Sequence, residues 1–185
     1  MSNFKDRVLT QKKSLFVSAG HSYSDPGASG NGWTEADIVL ELRDLLYREL
    51  DSRGIVLSTD GEKGENLPLR QAVQMASEHE VAVELHCNAF HKPSATGVET
   101  LSSGWQPEFD AALCDCISRT LGIANRGAKG EGSGQHSRLA FVSKGHGTII
   151  ELFFITNPND LRSYLEHKEE LVIRLADVLE DEVCK

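Results

Sequence analysis

The sequence predicts a single α/β domain with a mixed central β-sheet flanked by helices. Three observations carry that prediction. Short apolar runs suited to buried strands alternate with stretches whose apolar residues recur every three to four positions. The 185 residues are enough for one domain with a sizeable core, and no internal repeat, low-complexity segment or long linker divides them. Hydrophobic content of 39% and charged content of 25% are ordinary for a globular protein.

Residues 1–13 are polar and read as a lead-in, so the domain is taken as 14–185. Residues 14–19 form a short apolar run and predict a buried strand. Residues 20–33 are a glycine-rich loop, with Gly20, Gly27, Gly30 and Gly32 around Pro26. Thr34 followed three residues on by Asp37 resembles a capping box, with Asp in place of the usual Glu. The helix it opens carries Ile38, Val39, Leu42, Leu45, Leu46 and Leu50 on one stripe and stops at Arg53-Gly54. Ile55 to Leu57 predicts a second strand, and Asp60 to Asn66 a polar loop. Pro68 suits a first helical turn ahead of Leu69, Ala72, Val73 and Ala76. Val81 to His86 predicts a third strand, with Ala82, Glu84 and His86 on one face by the two-residue period. Gly97 to Leu101 predicts a fourth strand, and Phe109 to Leu121 a third helix. Residues 122–137 read as an exposed polar loop. Leu139 to Val142 and Thr148 to Phe154 predict two more strands. A short helix over Pro158 to Tyr164 and a final amphipathic helix over about 167–183 complete the chain.

The charge balance excludes some partners. Lys and Arg number 19 against 28 Asp and Glu, a net charge of −9. A nucleic-acid partner needs a basic footprint, so none is expected. Long-range attraction to an anionic membrane or cell wall is not expected either. No stretch reaches the roughly 20 apolar residues of a membrane span, and the first residues lack the apolar run of a secretory signal. The protein is therefore expected to be made in the cytoplasm, and its four cysteines, Cys87, Cys114, Cys116 and Cys184, to be reduced thiols. Cys114 and Cys116 stand two apart in a helical pattern and so face different ways.

Strand ends are where open α/β sheets bind ligands, and His21, His86 and Glu151 stand at or near them. A histidine leaving a strand and a glutamate entering a helix, joined by a flexible loop, can converge on one metal ion. His21 and Glu35 are such a pair, and His86 ends another apolar strand. Each also has a plain explanation. A strand-end histidine can bond to backbone, and an acid in a first helical turn complements the helix dipole. Glu151 lies inside Thr148-Ile149-Ile150-Glu151-Leu152-Phe153-Phe154, apolar on both faces. Desolvation there would raise its pKa toward that of a general base or acid. Glu84, on the face of His86, reads either as a group supporting the site or as half of a structural salt bridge. Two imidazoles and a carboxylate form a known catalytic zinc set with one position open for water. The sequence supplies these groups, and spacing alone does not bring them together. His79 and His167 read as solvated and His91 as a surface residue. His136 and His146 flank the penultimate strand, where either could line a substrate groove.

Five ordered blocks carry a resemblance to a known family. They are SAGHSYSDPGASGNGWTEADI, LPLRQAVQMASEHEVAVELHCNAF, ATGVETL, Asn125-Arg126-Gly127-Ala128-Lys129 and IIELFFITNPNDL. At this order and spacing the chain resembles the zinc-dependent N-acetylmuramoyl-L-alanine amidases of bacterial autolysins and phage endolysins, amidase type 3. The resemblance implies that His21, Glu35 and His86 bind one zinc ion and that Glu151 is the catalytic carboxylate. It implies a peptidoglycan substrate. Local contacts must overcome the repulsion between a net negative chain and an anionic wall, and the loops near Asn88, Arg126 and Lys129 are the substrate-binding candidates. The chain is expected to act as a monomer. Two departures stand out: Ser22 replaces the usual glycine after the first histidine, and Glu84 replaces a small residue two before the second. A compact chain without a secretory signal or an extra wall-binding module is expected to be a phage or prophage endolysin, acting on the wall after release. The rival expectations are a zinc peptidase cutting within the stem peptide and a non-catalytic wall-binding module.

Overall fold

The computed structural model describes residues 13–133 and 138–185. The lead-in up to residue 12 and His136 lie outside the described residues. Strand β1 (Leu15–Ala19) is buried throughout. A two-strand ribbon, β2 (Ser29–Gly30) and β3 (Trp33–Thr34), sits in the glycine-rich loop and delivers the chain to helix α1 (Glu35–Ser52). The capping box is present. Thr34 Oγ1 accepts from the Asp37 N–H at 3.2 Å, and Asp37 accepts from the Thr34 N–H at 3.0 Å. Gly54, with φ 71°, follows the last turn in the left-handed conformation that favours glycine. Then come β4 (Leu57–Thr59), α2 (Leu69–Ser77), β5 (Val81–Asn88), β6 (Val98–Ser102) and α3 (Pro107–Leu121). The chain closes with β7 (Asn125–Gly130), α4 (Ala140–Ser143), β8 (Thr148–Phe154) and α5 (Pro158–Val183).

Six strands form one mixed sheet in the order β4-β1-β5-β8-β6-β7. All neighbours are parallel except β6 and β8, which run antiparallel. The predicted class and architecture are therefore those observed. The larger core lies between one sheet face and α1, α3 and α5, with Val17, Val83, Leu85, Ile150 and Leu152 pointing into it. On the other face, α2 and α4 cover a smaller core of Phe16, Ala82, Leu101, Ile149 and Phe141. The two-residue pleat continues those rows beyond the smaller core. Phe16 is followed by Ser18, Ala82 by Glu84 and His86, and Ile149 by Glu151, while Leu101 is preceded by Glu99 on the antiparallel strand. The second face is thus apolar under its helices and polar where they end. Among the described residues no helix is long and apolar enough to cross a membrane.

Several expected elements are corrected. Leu139 to Val142 is not a strand: Ala140–Ser143 is a helical turn that packs Phe141 and Val142 against Ala72 and Ala76. Four apolar residues fit a buried strand and a buried helical turn equally, so periodicity could not separate them. Part of the expected loop over 122–137 is the edge strand β7. It pairs on one side only, so its side chains need no apolar alternation, and its Arg and Lys suit an exposed edge. The second strand is shifted to Leu57–Thr59. The two final helices are one, because Leu161, Tyr164, Leu171, Val172 and Leu175 continue a single buried stripe through the charged middle. His79 is not solvated. It is half-buried against Phe16, with Nδ1 2.7 Å from the Met75 carbonyl and Nε2 3.1 Å from Ser58 Oγ.

Candidate metal centre

The site is built where β1 and β5 end, on the polar half of the second sheet face. Just past the end of β1, Gly20 leaves room for the ring of His86: a Cβ there would sit 2.0 Å from it. The strand end is held by residues distant in sequence. Asp60 accepts the Ala19 N–H at 3.1 Å and the Ser18 hydroxyl at 2.7 Å, and pairs with fully buried Arg43 at 3.0 Å. Asn66 donates to the carbonyls of Ala19 and His21 at 2.8 and 2.9 Å. His21 therefore leaves a fixed backbone. Its Nδ1 faces the Asp25 carbonyl at 3.2 Å, which leaves Nε2 toward Glu35 at 3.5 Å. Gly27 lets the returning loop touch both residues. It has φ 66°, and a Cβ there would lie 2.6 Å from Glu35 Oε2 and from His21 Cδ2.

Glu35, the first residue of α1, is buried with both oxygens engaged. Oε2 accepts the Ala28 N–H at 2.9 Å; Oε1 accepts the Cys87 N–H at 2.8 Å and lies 3.0 Å from His86 Nδ1. Burial opposes its charge, but the His86 imidazole and these two N–H groups outweigh it and hold the carboxyl below its ordinary value. His86 lies between two carboxylates, with Nε2 3.1 Å from Glu84 Oε1. Burial disfavours a charged imidazole, yet Glu35 and Glu84 together lift His86 well above the ordinary histidine value. Glu84 is thus in contact with His86, and Ser18 Oγ lies 3.3 Å from its other oxygen.

Donor atoms of His21, Glu35 and His86 all lie within 4.8 Å of one another. The His21 and His86 rings stand at 86° to each other, with centroids 5.2 Å apart. Two imidazole nitrogens and one carboxylate oxygen converging this way fit a tetrahedral zinc ion with a fourth position left for water. The outward nitrogen of each imidazole already has an acceptor, the Asp25 carbonyl for one and Glu84 for the other, as zinc-binding histidines require. We expect Glu84→Gln to weaken zinc binding about ten-fold, because the lost charge lowers the basicity of His86. Competition with a chromophoric chelator measures this, and an unchanged affinity would assign Glu84 to structure alone.

Glu151 stands directly opposite His86 across the β5–β8 pair. One of its oxygens, Oε2, is buried with no hydrogen-bond partner among the described residues. Burial is the main cause that pushes its pKa up to about 7; the charges of Glu35, Glu99 and Glu84 add to the rise and His86 opposes it. A carboxyl held near neutrality beside three metal donors can both take and give a proton.

The remaining candidates gather one strand further on. Asn88 Nδ2 donates to Glu99 Oε1 at 3.2 Å, while Arg126 Nε and Lys129 Nζ both donate to Glu99 Oε2, the latter at 2.6 Å. Glu99 is buried and faces Glu151 across the β6–β8 pair. Sequence reading missed it, although two-residue alternation within Gly97 to Leu101 would have set it apart from its apolar neighbours. Asp60 and Asn66 were also missed, and nothing in a polar loop marks them. His146 is exposed at the amino end of β8, near Trp105, away from the carboxyl ends of β1 and β5.

The family model described as N-acetylmuramoyl-L-alanine amidase matches residues 15–177. The N-acetylmuramoyl-L-alanine amidase LytC of Bacillus subtilis is 28% identical over 155 residues, which cover 80% of this chain and 30% of that protein. The chain thus spans about a third of that relative's length. A candidate N-acetylmuramoyl-L-alanine amidase from Neisseria meningitidis superposes with a TM-score of 0.84 at 35% identity, covering 92% of this chain and 95% of that one. The catalytic domain of the CD27L endolysin targeting Clostridia difficile shares the fold, with a TM-score of 0.71 at 21% identity over 90% of this chain and 97% of its own.

Proposed function

This chain belongs to the N-acetylmuramoyl-L-alanine amidase family, and from that membership we propose that it hydrolyses the amide joining N-acetylmuramic acid to L-alanine in peptidoglycan. Residues 14–185 are the catalytic unit, with His21, Glu35 and His86 holding one zinc ion. The observation that carries this reading is the convergence of those three donor sets beside Glu151, a glutamate whose Oε2 has no partner among the described residues.

Zinc bound there would polarise the amide carbonyl and acidify the attacking water. The chain's own residues do the rest. Glu151, opposite His86 on the next strand and with one oxygen free of any partner among the described residues, takes the proton of the water and delivers it to the leaving nitrogen of L-alanine. Glu84 and the Asp25 carbonyl hold the two imidazoles so that their free nitrogens face inward. Gly20 and Gly27 keep the backbone clear of the rings. We place the protein as a phage or prophage endolysin that acts on the wall after release from the cytoplasm.

Mass spectrometry of digested peptidoglycan, with and without a chelator, tests the function. The expected products are intact stem peptides and unsubstituted glycan chains, both absent when the metal is removed. Fragments cut within the stem would make the protein a zinc peptidase. Binding to the wall with no released fragments would make it a binding module.

A further inference from the structure

We propose that Arg126 and Lys129, set against Glu99, form a subsite for a free carboxylate on the stem peptide, one that lets the enzyme discriminate carboxylate from carboxamide next to the scissile bond. The inference rests on the amidase reading and deepens it.

The geometry begins with a row of residues across the sheet. His86, Glu151 and Glu99 lie directly opposite one another on β5, β8 and β6, at strand spacings of about 5 Å. β7 follows β6, and its two cations close on Glu99. Glu151 must reach the leaving nitrogen, so the peptide side of the scissile bond lies on Glu151's side of the metal donors. The stem leaving that nitrogen therefore runs toward β6 and β7. In peptidoglycan the residue after L-alanine is D-glutamate joined through its side-chain carboxyl. Its α-carboxylate is therefore free unless it has been amidated, and it is the first negative charge the stem presents.

The cluster suits that group. It holds two cations against one buried carboxylate, in a chain whose net charge is −9. Arg126 spends only its Nε on Glu99, and its guanidinium carbon lies 5.0 Å from the centre of the Phe154 ring. That stacking sets the guanidinium against the end of β8, the strand that carries Glu151. Its two terminal nitrogens make no hydrogen bond among the described residues, and that pair is the edge that binds a carboxylate in a bidentate fork. The Arg126 and Lys129 side chains remain 37% and 28% exposed, so a ligand can reach them. Glu99 fixes the cations and, with Asn88, ties them to the end of β5 beside His86.

Two muramyl peptides that differ only in an α-carboxylate or an α-carboxamide on D-glutamate test the proposal on the zinc-loaded full chain. The wild type is expected to favour the acid by about ten-fold in kcat/KM, mostly through KM. Arg126→Gln is expected to collapse that ratio toward one, Lys129→Met to reduce it, and Arg126→Lys to keep part of it. Equal turnover of both substrates by the wild type overturns the subsite. So does an equal loss on both substrates in Arg126→Gln, which would make the arginine structural. Cleavage of neither substrate by the wild type overturns the amidase reading, and the subsite with it.

Discussion

Replacing Glu151 by glutamine is expected to abolish turnover and, in the metal-free protein, to raise stability. General acid–base catalysis contributes about 10²–10⁴-fold, and here both proton transfers fall to one residue, so a loss of about 10⁴-fold is expected. The stability gain has a separate origin. In the fold Glu151 has a pKa of about 7 against an ordinary 4.5. Between those values the unfolded chain has lost the proton while the folded chain keeps it. Rising pH therefore weakens the fold across that window, and the penalty is fully present above pH 7. Its ceiling is about 3 kcal/mol. Partial solvent access brings it to about 1–2 kcal/mol. Glutamine keeps the shape and removes the charge, so the gain should appear at pH 8 and vanish toward pH 4. Paired melting curves of metal-free wild type and Glu151→Gln measure it. Equal stability at both pH values would place the carboxyl in a wetter setting than its buried, unpartnered oxygen indicates.

His86→Ala is expected to lose zinc and activity together and also to weaken the metal-free fold. The imidazole separates two carboxylates, at 3.0 Å from Glu35 and 3.1 Å from Glu84, and both are buried. Without it two negative charges face each other with no cation between them, which costs about 3–5 kcal/mol for a buried pair broken on one side. His21→Ala provides the contrast. His21 sits in the loop with a side chain 22% exposed, and its neighbour Glu35 keeps His86 and two N–H groups. It should lose zinc as completely while changing metal-free stability by less than about 1 kcal/mol. Metal content and denaturant midpoints, taken side by side for the two variants, check this. Equal destabilisation would mean that the carboxylates draw their compensation from elsewhere.

Much of the fold was legible because its strands are short apolar runs and its helices carry apolar stripes. The glycine loop from Gly20 to Gly32 marked where a strand end and a helix start approach each other, and the geometry brings His21 Nε2 within 3.5 Å of Glu35. The half-buried setting of Glu151, with one oxygen fully enclosed, followed from its apolar neighbours. Features that depend on pairing across the sheet were hidden. β7 takes its strand character from hydrogen bonds to β6, which no local pattern of Asn125 to Gly130 encodes. Arg126 and Lys129 drew notice as cations, but their convergence on Glu99 depends on the β6–β7 register. Asp60 and Asn66 look like ordinary loop residues, and only the folded path of β1 gives them the backbone of His21 to hold. Leu139 to Val142 shows the converse, since so short an apolar run does not record which backbone buries it.

One ion held by His21, Glu35 and His86 is the centre of the proposed chemistry. Diffraction from zinc-soaked crystals, recorded on both sides of the zinc absorption edge, tests this directly. The expected result is one anomalous peak about 2.0–2.2 Å from His21 Nε2, His86 Nδ1 and an oxygen of Glu35, with Glu151 outside the coordination sphere. No peak at saturating zinc, or a peak bonded to Glu84 and Glu151 instead, would contradict it.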